Sequence, residues 1–355
     1  MKSNVLRASI ALIFLSTALI AHLPSQAPST PAIADAPYKN TSLGVDQRVA
    51  DLLHRMTLEE KATMLAGSGW MESAPIPRLG IPAIKMADGP LGVRSWMGSS
   101  AITNAANAPK IASTSFPSGV AMAATWNPEL VQREGQAIAQ ETKALGRDMI
   151  LGPTVNINRV PLWGRNFEGY GEDPYLAARL GVAYIKGVQA EGVIPSVKHF
   201  AANNEEFERH RLDEKIDERA LHEIYLPAFK AAVQEADVWT VMSAYEKVNG
   251  KYCAENDYLL TGILKKEFGF KNFVVSDWAS TYSTAPTVNA GMDLEMPGGP
   301  PLHAMLKRPQ SIMSGNSGGW LEADKVLAEI KAGHISEATL NDNVSRILRV
   351  IMLSG

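Results

Sequence analysis

Residues 193–200 read VIPSVKHF, an apolar run that closes on a lysine, a histidine and a phenylalanine. Residues 238–245 read VWTVMSAY and have the same character. Between them, apolar residues recur at helical intervals, which predicts a helix with one buried face. A strand, a helix and a second strand in this order predict a β-α-β unit with parallel strands. The predicted buried face consists of Leu221, Ile224, Tyr225, Ala228, Phe229, Ala232 and Val233.

The same alternation of strand and helix continues over most of the chain from about residue 45. Six or more such units in a chain of 355 residues favour a closed barrel over an open sheet. We therefore predict the α/β class, as a single-domain (β/α)8 TIM-like barrel over residues 45–353. Further strands are predicted at 81–86, 149–155 and 273–278, with a strand or strand end at 291–299, and further helices at 127–146, 257–267 and the C-terminal tail.

Composition excludes several classes of function. The chain has 34 Lys and Arg against 37 Asp and Glu, a net charge of −3, so it lacks the basic character of a nucleic-acid-binding protein. Its one cysteine, Cys253, permits neither an intrachain disulfide nor a cysteine-based zinc site. No G-x-G-x-x-G turn follows the first strand, and no His, Asp and Glu cluster has metal-ligand spacing. We expect no cofactor and no metal.

The N-terminus has the pattern of a signal peptide. Lys2 and Arg7 precede an apolar stretch at 8–21, and small residues suited to cleavage follow at 25–27 and 32–34. The apolar stretch is shorter than the ~20 residues that span a bilayer. We predict a signal peptide over residues 1–34 and a secreted or periplasmic protein. An uncleaved membrane anchor is the alternative.

Several predicted strands close on a residue that is unfavourable to bury. These residues are Asp88, the Lys198-His199 pair, Tyr245 and Asp277, with Glu295 after the last strand. Any one of them could be a helix cap or a structural ion pair. In a barrel, however, catalytic residues come from the carboxyl ends of several strands and gather on one face. Their shared position predicts an active site at that face.

Five segments resemble the N-terminal barrel of glycoside hydrolase family 3, and within it the β-glucosidase branch. The resemblance covers about residues 45–353 and rests on long motifs that occur in the order the family has them. The segments are IPAIKMADGPLGVR (81–94), WGRNFEGYGEDPY (163–175), SVKHFAANNEEFER (196–209), TVMSAYEKVNGKY (240–252) and FVVSDWA (273–279).

The resemblance implies a role for each matching residue. Asp277 would be the nucleophile of a retaining glycosidase, with the Tyr245 hydroxyl beside it. Asp88 would accept hydrogen bonds from two hydroxyls of a glucose-type sugar. Trp278 would offer an apolar face to the sugar ring. The remaining hydroxyls would be bound by a cationic and donor set consisting of Arg94, Arg165, Lys198, His199 and Arg209.

Alternative interpretations accompany these roles. Asp277 could instead cap a following helix. The cationic residues could form salt bridges to Glu168, Asp173 or Glu206. Trp96 and Trp163 fit the outer pocket and the core equally, and Glu295 is expected to be structural. His54, His222, His303 and His334 carry no motif.

The chain departs from the family's pattern at the second catalytic group. In the β-glucosidase branch the acid/base comes from an α/β sandwich domain after the barrel, and no such domain is expected here. The family's one-domain branch, the β-N-acetylhexosaminidases, uses a loop that the sequence KHFAANNEEFERHRLD (198–213) does not reproduce. His210, or one of Glu205, Glu206 and Glu208, is a candidate substitute.

We therefore expect a β-glucosidase-type retaining hydrolase that acts on a terminal β-D-glucosyl residue of a glucoside or oligosaccharide, with its acid/base missing from the chain. A partner domain that supplies this group is the expected protein partner, and contact with a membrane is expected only if the signal segment stays uncleaved. The alternatives are a non-catalytic glucose-binding barrel, a subunit completed in trans, or a β-xylosidase-like or β-N-acetylhexosaminidase-like activity.

Overall fold

The computed structural model describes residues 35–94, 112–301, 304, 307 and 318–355. The predicted signal peptide at 1–34, Trp96 and His303 lie outside these residues.

Helices and strands alternate along the described chain, as the sequence predicts. The helices are α1 (Val45–Arg55), α2 (Leu58–Thr63), α3 (Gly119–Ala123), α4 (Pro128–Ala144), α5 (Pro174–Ala190), α6 (Glu218–Ala220), α7 (Pro227–Ala236), α8 (Ala285–Ala290), α9 (Ala323–Lys331) and α10 (Glu337–Ser354), with π-helical segments at Leu221–Tyr225 and Tyr258–Glu267. The strands are β1 (Met86–Asp88), β2 (Met149–Leu151), β3 (Ile194–Phe200), β4 (Asp213–Glu214), β5 (Thr240–Ser243), β6 (Lys247–Val248), β7 (Lys251–Tyr252) and β8 (Phe273–Val275).

A parallel sheet forms the centre of the described fold. Its strand order is β1-β2-β3-β5-β8, and every neighbouring pair is parallel. Two parallel bridges, Val275 to Leu294 and Ala66 to Glu295, continue the sheet beyond β8 towards the N-terminal segment. Helices pack around the sheet, so strands such as β2 and β3 are buried along their whole length. The predicted TIM-like α/β barrel class is confirmed.

Local chemistry explains where the long helices begin. Asn127 caps α4, because its side chain accepts a hydrogen bond from the amide of Leu130, and Pro128 occupies the first helical position. Asp173 caps α5 in the same way, with Pro174 after it. Proline fits there because its missing N–H would have no partner in the first turn. Asp173 is therefore a helix cap rather than a partner for a cationic residue of the site.

The predicted helix over 221–233 differs from the observed structure. A π-helical turn over Leu221–Tyr225 precedes α7, which starts at Pro227. Proline has no N–H to continue the helical hydrogen bonds, so the turn and α7 differ in register. Ile224, predicted on the buried face, is consequently 40% exposed, whereas Ala228, Phe229 and Ala232 are buried.

The predicted strands are longer than those found. The stretch predicted as a strand at 81–86 contributes only Met86 to β1, and 291–299 forms bridges rather than a regular strand. The polar residues nevertheless stand at the carboxyl ends of β1, β3, β5 and β8, on one edge of the sheet. No helix in the described ranges combines the length and the apolar character needed to cross a membrane.

Candidate active site

A cavity of about 370 Å³ lies at the carboxyl ends of the parallel strands. All nine residues that the sequence assigned to catalysis or sugar binding line it, although 190 positions separate the first from the last. They are Asp88, Arg94, Arg165, Lys198, His199, Arg209, Tyr245, Asp277 and Trp278; the rest of the lining is Trp70, Met71, Pro90, Leu151, Phe167, Glu168 and Met242.

Other residues considered from sequence lie away from this lining. Trp163 is buried, with 2% of its surface exposed, and belongs to the core rather than the cavity. The Glu295 carboxylate accepts hydrogen bonds from the amides of Trp320 and Leu321, which matches its expected structural part. His54 is exposed, His222 faces Glu218, and His334 contacts Glu329 at 2.6 Å.

Asp88 is held between two cations at one side of the cavity. Its Oδ1 is 3.0 Å from the Lys198 ammonium, and its Oδ2 is 3.3 Å from the Arg94 guanidinium. Burial by itself would raise the pKa of Asp88, but the charges of Lys198 and Arg94 outweigh burial and hold the pKa below its ordinary value. Asp88 is therefore an ionised acceptor facing the cavity.

The hydrogen bonds of His199 fix its tautomer. Asn156 Oδ1, which can only accept, lies 3.0 Å from Nδ1, so Nδ1 carries the proton. Nε2 then accepts from the Arg165 guanidinium at 3.0 Å. Burial, reinforced by Arg165 and Lys198, lowers the pKa of His199 well below its ordinary value, so the imidazole is neutral. Its 3.4 Å contact with Asp277 is accordingly not an ion pair.

Arg165 and Arg209 are joined through a shared carboxylate. Glu206 contacts Arg209 at 2.9 Å and Arg165 at 3.6 Å. Arg165 also pairs with Glu168, which accepts a further hydrogen bond from Thr154. The salt bridges expected as an alternative to sugar binding are thus present for Arg165 and Arg209, and the same guanidinium groups face the cavity.

Asp277 is almost fully enclosed, with 8% of its surface exposed. The amide of Trp278 donates to its Oδ1 at 2.7 Å, and the Tyr245 hydroxyl donates a hydrogen bond to the carboxylate. Burial raises the pKa of Asp277 despite the opposing charges of Arg209, Arg165 and Lys198. No helix begins at Asp277, since the next described helix starts at Ala285, so the helix-cap alternative is wrong.

The sequence reasoning did not identify three residues next to the site. Asn156 orients His199 and directly follows a predicted strand, so the rule applied to Asp88 would have selected it. The carbonyl of Trp70 accepts the Trp278 indole N–H at 2.7 Å, a backbone contact without a sequence signal. Glu246 follows Tyr245 and is fully buried, and neither of its side-chain oxygens has a hydrogen-bond partner among the residues that the structure describes.

In the part of the chain that the structure describes, no group of three or more His, Cys, Asp or Glu side chains is arranged to hold a metal ion. The cavity is therefore lined by the enclosed Asp277, by two carboxylates paired with cations, and by four cationic and four aromatic side chains. This arrangement suits a polar, ring-shaped, uncharged ligand.

Comparison with known proteins agrees with this geometry. The profile of the Glycosyl hydrolase family 3 N terminal domain matches residues 83–350. The chain is 43% identical to a β-glucosidase of Rhizobium radiobacter over 308 residues, covering 86% of this chain and 34% of that protein. It is 43% identical to an exo-α-(1→6)-L-arabinopyranosidase of Bifidobacterium breve over 242 residues, covering 68% of this chain and 32% of that protein.

Among solved structures, the chain is similar to β-glucosidase 3B of Thermotoga neapolitana in complex with α-D-glucose. The TM-score is 0.76 at 37% identity, and the match covers 86% of this chain and 42% of that one. The chain spans about a third of the length of the two curated relatives.

Proposed function

Since this chain belongs to glycosyl hydrolase family 3, we propose that its cavity binds a terminal β-D-glucosyl residue and that Asp277 attacks the anomeric carbon. The observation that carries the proposal is the surroundings of Asp277, an enclosed carboxylate hydrogen-bonded by Tyr245 on the wall of a cavity of about 370 Å³. A cavity of this size accommodates one sugar ring, and the family relation gives the carboxylate its reaction.

The attack would form a glycosyl ester. An oxygen of Asp277 bonds to C1 of the sugar while the bond from C1 to the aglycone oxygen breaks, and the departing oxygen keeps the electron pair. Arg165 and Arg209 act electrostatically to keep Asp277 ionised, and Tyr245 holds the carboxylate in a fixed orientation. Water then hydrolyses the ester and returns Asp277 to its starting state.

We further propose that Asp88 selects the sugar. Its carboxylate is ionised and paired with Lys198 and Arg94, so it can accept two hydroxyl hydrogen bonds without reorienting. Leu151, Met242 and Trp278 supply apolar surface for the carbon face of the ring.

The proton donor for the leaving group is the open part of the mechanism. Three described carboxyls line the cavity, and the cations beside Asp88 and Glu168 lower the pKa of both, which makes them poor acids. Glu206 is engaged by both arginines, and His210 lies outside the lining. We propose that the donor comes from another part of the protein or from a partner. General acid catalysis contributes typically ~10²–10⁴-fold, so activated aryl glucosides should depend on it less than cellobiose does.

Labelling with 2,4-dinitrophenyl 2-deoxy-2-fluoro-β-D-glucoside tests the nucleophile, because its leaving group departs without a proton. We expect a glycosyl adduct on the Asp277 peptide by mass spectrometry, and no adduct in Asp277→Asn. An adduct on another residue would remove Asp277 from the proposal. Glucose binding by calorimetry with no adduct would indicate instead the non-catalytic barrel.

A second candidate activity rests on the relative that is named an arabinopyranosidase and is 43% identical. The same labelling protocol with aryl α-L-arabinopyranosides and β-D-xylosides separates these from a β-glucosidase. We propose the glucoside as the best substrate, because the paired acceptor Asp88 suits a sugar with an additional distal hydroxyl.

We also propose export of the protein through residues 1–34. Expression of the full chain in a bacterial host, followed by N-terminal sequencing of the periplasmic or secreted form, tests this. A mature N-terminus within residues 25–36 is expected, and an intact Met1 in the membrane fraction would indicate the uncleaved anchor.

A further inference from the structure

The ring of Tyr245 is contacted by two side chains of the loop after β3, of which Arg209 lines the cavity and His210 does not. The guanidinium carbon of Arg209 lies 3.9 Å from the centre of the Tyr245 ring. The ring of His210 packs edge-on against the same ring, with centroids 4.7 Å apart and planes at 66°. Two consecutive residues of one loop thus enclose the phenol whose hydroxyl bonds to Asp277.

His210 forms hydrogen bonds through both its backbone carbonyl and its imidazole ring. Its carbonyl accepts a hydrogen bond from the Tyr252 hydroxyl at 3.0 Å, and its Nδ1 lies 2.9 Å from the Tyr282 hydroxyl. The rings of Tyr252 and Tyr282 stack, with centroids 3.6 Å apart. His210 is therefore hydrogen-bonded to two stacked tyrosines, Tyr252 of β7 and Tyr282 of the loop after Asp277.

The charge states of this cluster settle the direction of its hydrogen bond. Burial and the neighbouring Arg209 lower the pKa of His210 to about 4, and burial raises the pKa of Tyr282. The hydrogen bond therefore joins a neutral imidazole and a protonated phenol. Because the phenol is the stronger donor, Tyr282 donates to Nδ1 of His210, and the imidazole proton is on Nε2.

The position of His210 argues against a role as the acid/base. His210 is outside the residues that line the cavity, and its described ring contacts are with Tyr245 and Tyr282 rather than with Asp277. We therefore do not assign His210 the delivery of a proton into the cavity.

We propose that His210 is a positioning residue that fixes the ring of Tyr245, and through it the carboxylate of Asp277, with Tyr282 as its anchor. This rests on the proposed function, in which Asp277 is the nucleophile. The role is geometric, and it applies to every glycoside that Asp277 attacks, whatever its leaving group.

The test uses the full chain and the same fluoroglucoside, with the labelling rate measured as a function of concentration. In His210→Ala we expect the maximal labelling rate to fall roughly ten- to hundredfold, because Tyr245 loses the ring beside it. The concentration at half-maximal rate should stay within twofold, since Asp88 and Lys198 are unchanged. His210→Phe keeps a ring against Tyr245 and should restore most of the rate.

His222→Ala is the matched control, a histidine on the helical segment Leu221–Tyr225 whose nearest ion-pair partners are Glu218 and Glu267. It should label at the wild-type rate. If circular dichroism shows that His210→Ala fails to fold, His210→Leu takes its place, because it also removes the ring beside Tyr245. It should label more slowly than His210→Phe, which keeps a ring there.

Three results would overturn the proposal: an unchanged maximal rate in His210→Ala, a rate in His210→Phe as low as that of His210→Ala, or a loss seen with 4-nitrophenyl glucoside but not with 2,4-dinitrophenyl glucoside. The last result would identify His210 as a general acid. A wild-type chain that is not labelled at all contradicts the proposed function instead, which keeps the two failures distinct.

Discussion

Burial and neighbouring charge act in opposite directions on the carboxyls of this site. For Asp277, burial prevails over Arg209 and Arg165 and raises the pKa; for Asp88, Lys198 and Arg94 prevail and lower it. The two residues are therefore suited to different work. In the proposed mechanism, the poorly solvated charge of Asp277 would form the bond to the sugar, whereas the stabilised charge of Asp88 would bind hydroxyls.

Replacing Asp277 with Asn should abolish labelling and raise stability. A carboxyl whose pKa is higher in the folded chain lowers the free energy of unfolding at every pH above its unfolded pKa. Removing the charge relieves this, so we expect a melting temperature a few degrees higher at pH 7 and a difference that vanishes below about pH 4. An equal or lower melting temperature at pH 7 would contradict the direction given for Asp277.

The Asp88→Asn variant should behave in the opposite way. Lys198 is 3% exposed, and without Asp88 its ammonium would remain buried without its 3.0 Å ion-pair partner, with Glu168 and Asp277 as the other described carboxylates whose pKa values it lowers. Breaking such a pair typically costs about 3–5 kcal/mol of folding stability. The pKa of Asp88 is lowered, so its contribution is complete above the unfolded value and is lost as the pH falls through the folded value. Chemical denaturation at pH 7 and pH 3 checks this, and glucose binding should be lost at pH 7.

Glu246 should be an uncharged acid at neutral pH. Burial raises its pKa well above the ordinary value, with Glu206 and Asp277 adding to the effect. The folded chain holds this proton more tightly than the unfolded chain, so stability falls as the pH rises above the unfolded pKa. Glu246→Gln removes that slope. We expect it to match wild type near pH 4 and to be more stable at pH 8; equal stability at both values would mean that Glu246 is ionised.

At the scale of elements, α4 and α5 pack with glycine at their closest approach. A Cβ on Gly187 would lie 2.1 Å from the carbonyl oxygen of Gln132, and one on Gly135 would lie 2.5 Å from that of Tyr184. Both obstacles are backbone atoms, so neither can rotate away. The two glycines set the distance between the helices that follow β1 and β2 in the barrel.

Gly187→Ala should therefore destabilise the fold by about 1–3 kcal/mol or more, because the helices must move apart. Gly262→Ala is the control, since a Cβ there meets only ordinary contacts at 3.6 Å and beyond. It should be neutral or stabilising. Denaturant midpoints measure both changes, and equal midpoints for the two variants would contradict the close packing of α4 and α5.

The elements also show what the sequence could predict. Asn127-Pro128 predicted the start of α4 correctly, because capping is local chemistry between neighbouring residues. The prediction of one continuous helix over 221–233 was wrong, because the spacing of apolar residues does not indicate a π-helical turn before Pro227. The residues of the cavity followed from strand ends and the family resemblance. The backbone carbonyl of Trp70 and the tyrosine pair behind His210 did not, because they depend on contacts between loops.

At the scale of the whole molecule, the first described helix, α1, and the last, α10, are in contact. The Arg349 guanidinium in α10 pairs with Asp46 in α1 and donates to Asn272 just before β8. Asp46 is 88% exposed at its side chain, so that pair contributes little. The apolar face of α10, in which Val344, Ile347 and Leu348 are fully buried, is therefore expected to stabilise the contact more than the exposed ion pair does.

Leu348→Ala should therefore lower the stability of the entire barrel by about 2–5 kcal/mol, whereas Met352→Ala, one turn further and half-buried, should lower it less. Because α10 joins the start of the chain to β8, we expect one cooperative transition in both variants. Far-ultraviolet circular dichroism and tryptophan emission should give coincident midpoints, and separate midpoints would contradict this coupling.

The hydrogen bond from the Trp278 indole to the carbonyl of Trp70 has an optical consequence. An indole on the wall of the cavity, with its N–H bound to a fixed dipole, emits at a wavelength that depends on the water beside its exposed face. If a sugar binds as proposed, it would displace water from the Trp278 face and shift this emission. Trp278 would then report occupancy of the cavity through its fluorescence, and the difference spectrum between wild type and Trp278→Phe would isolate its signal from that of the other indoles.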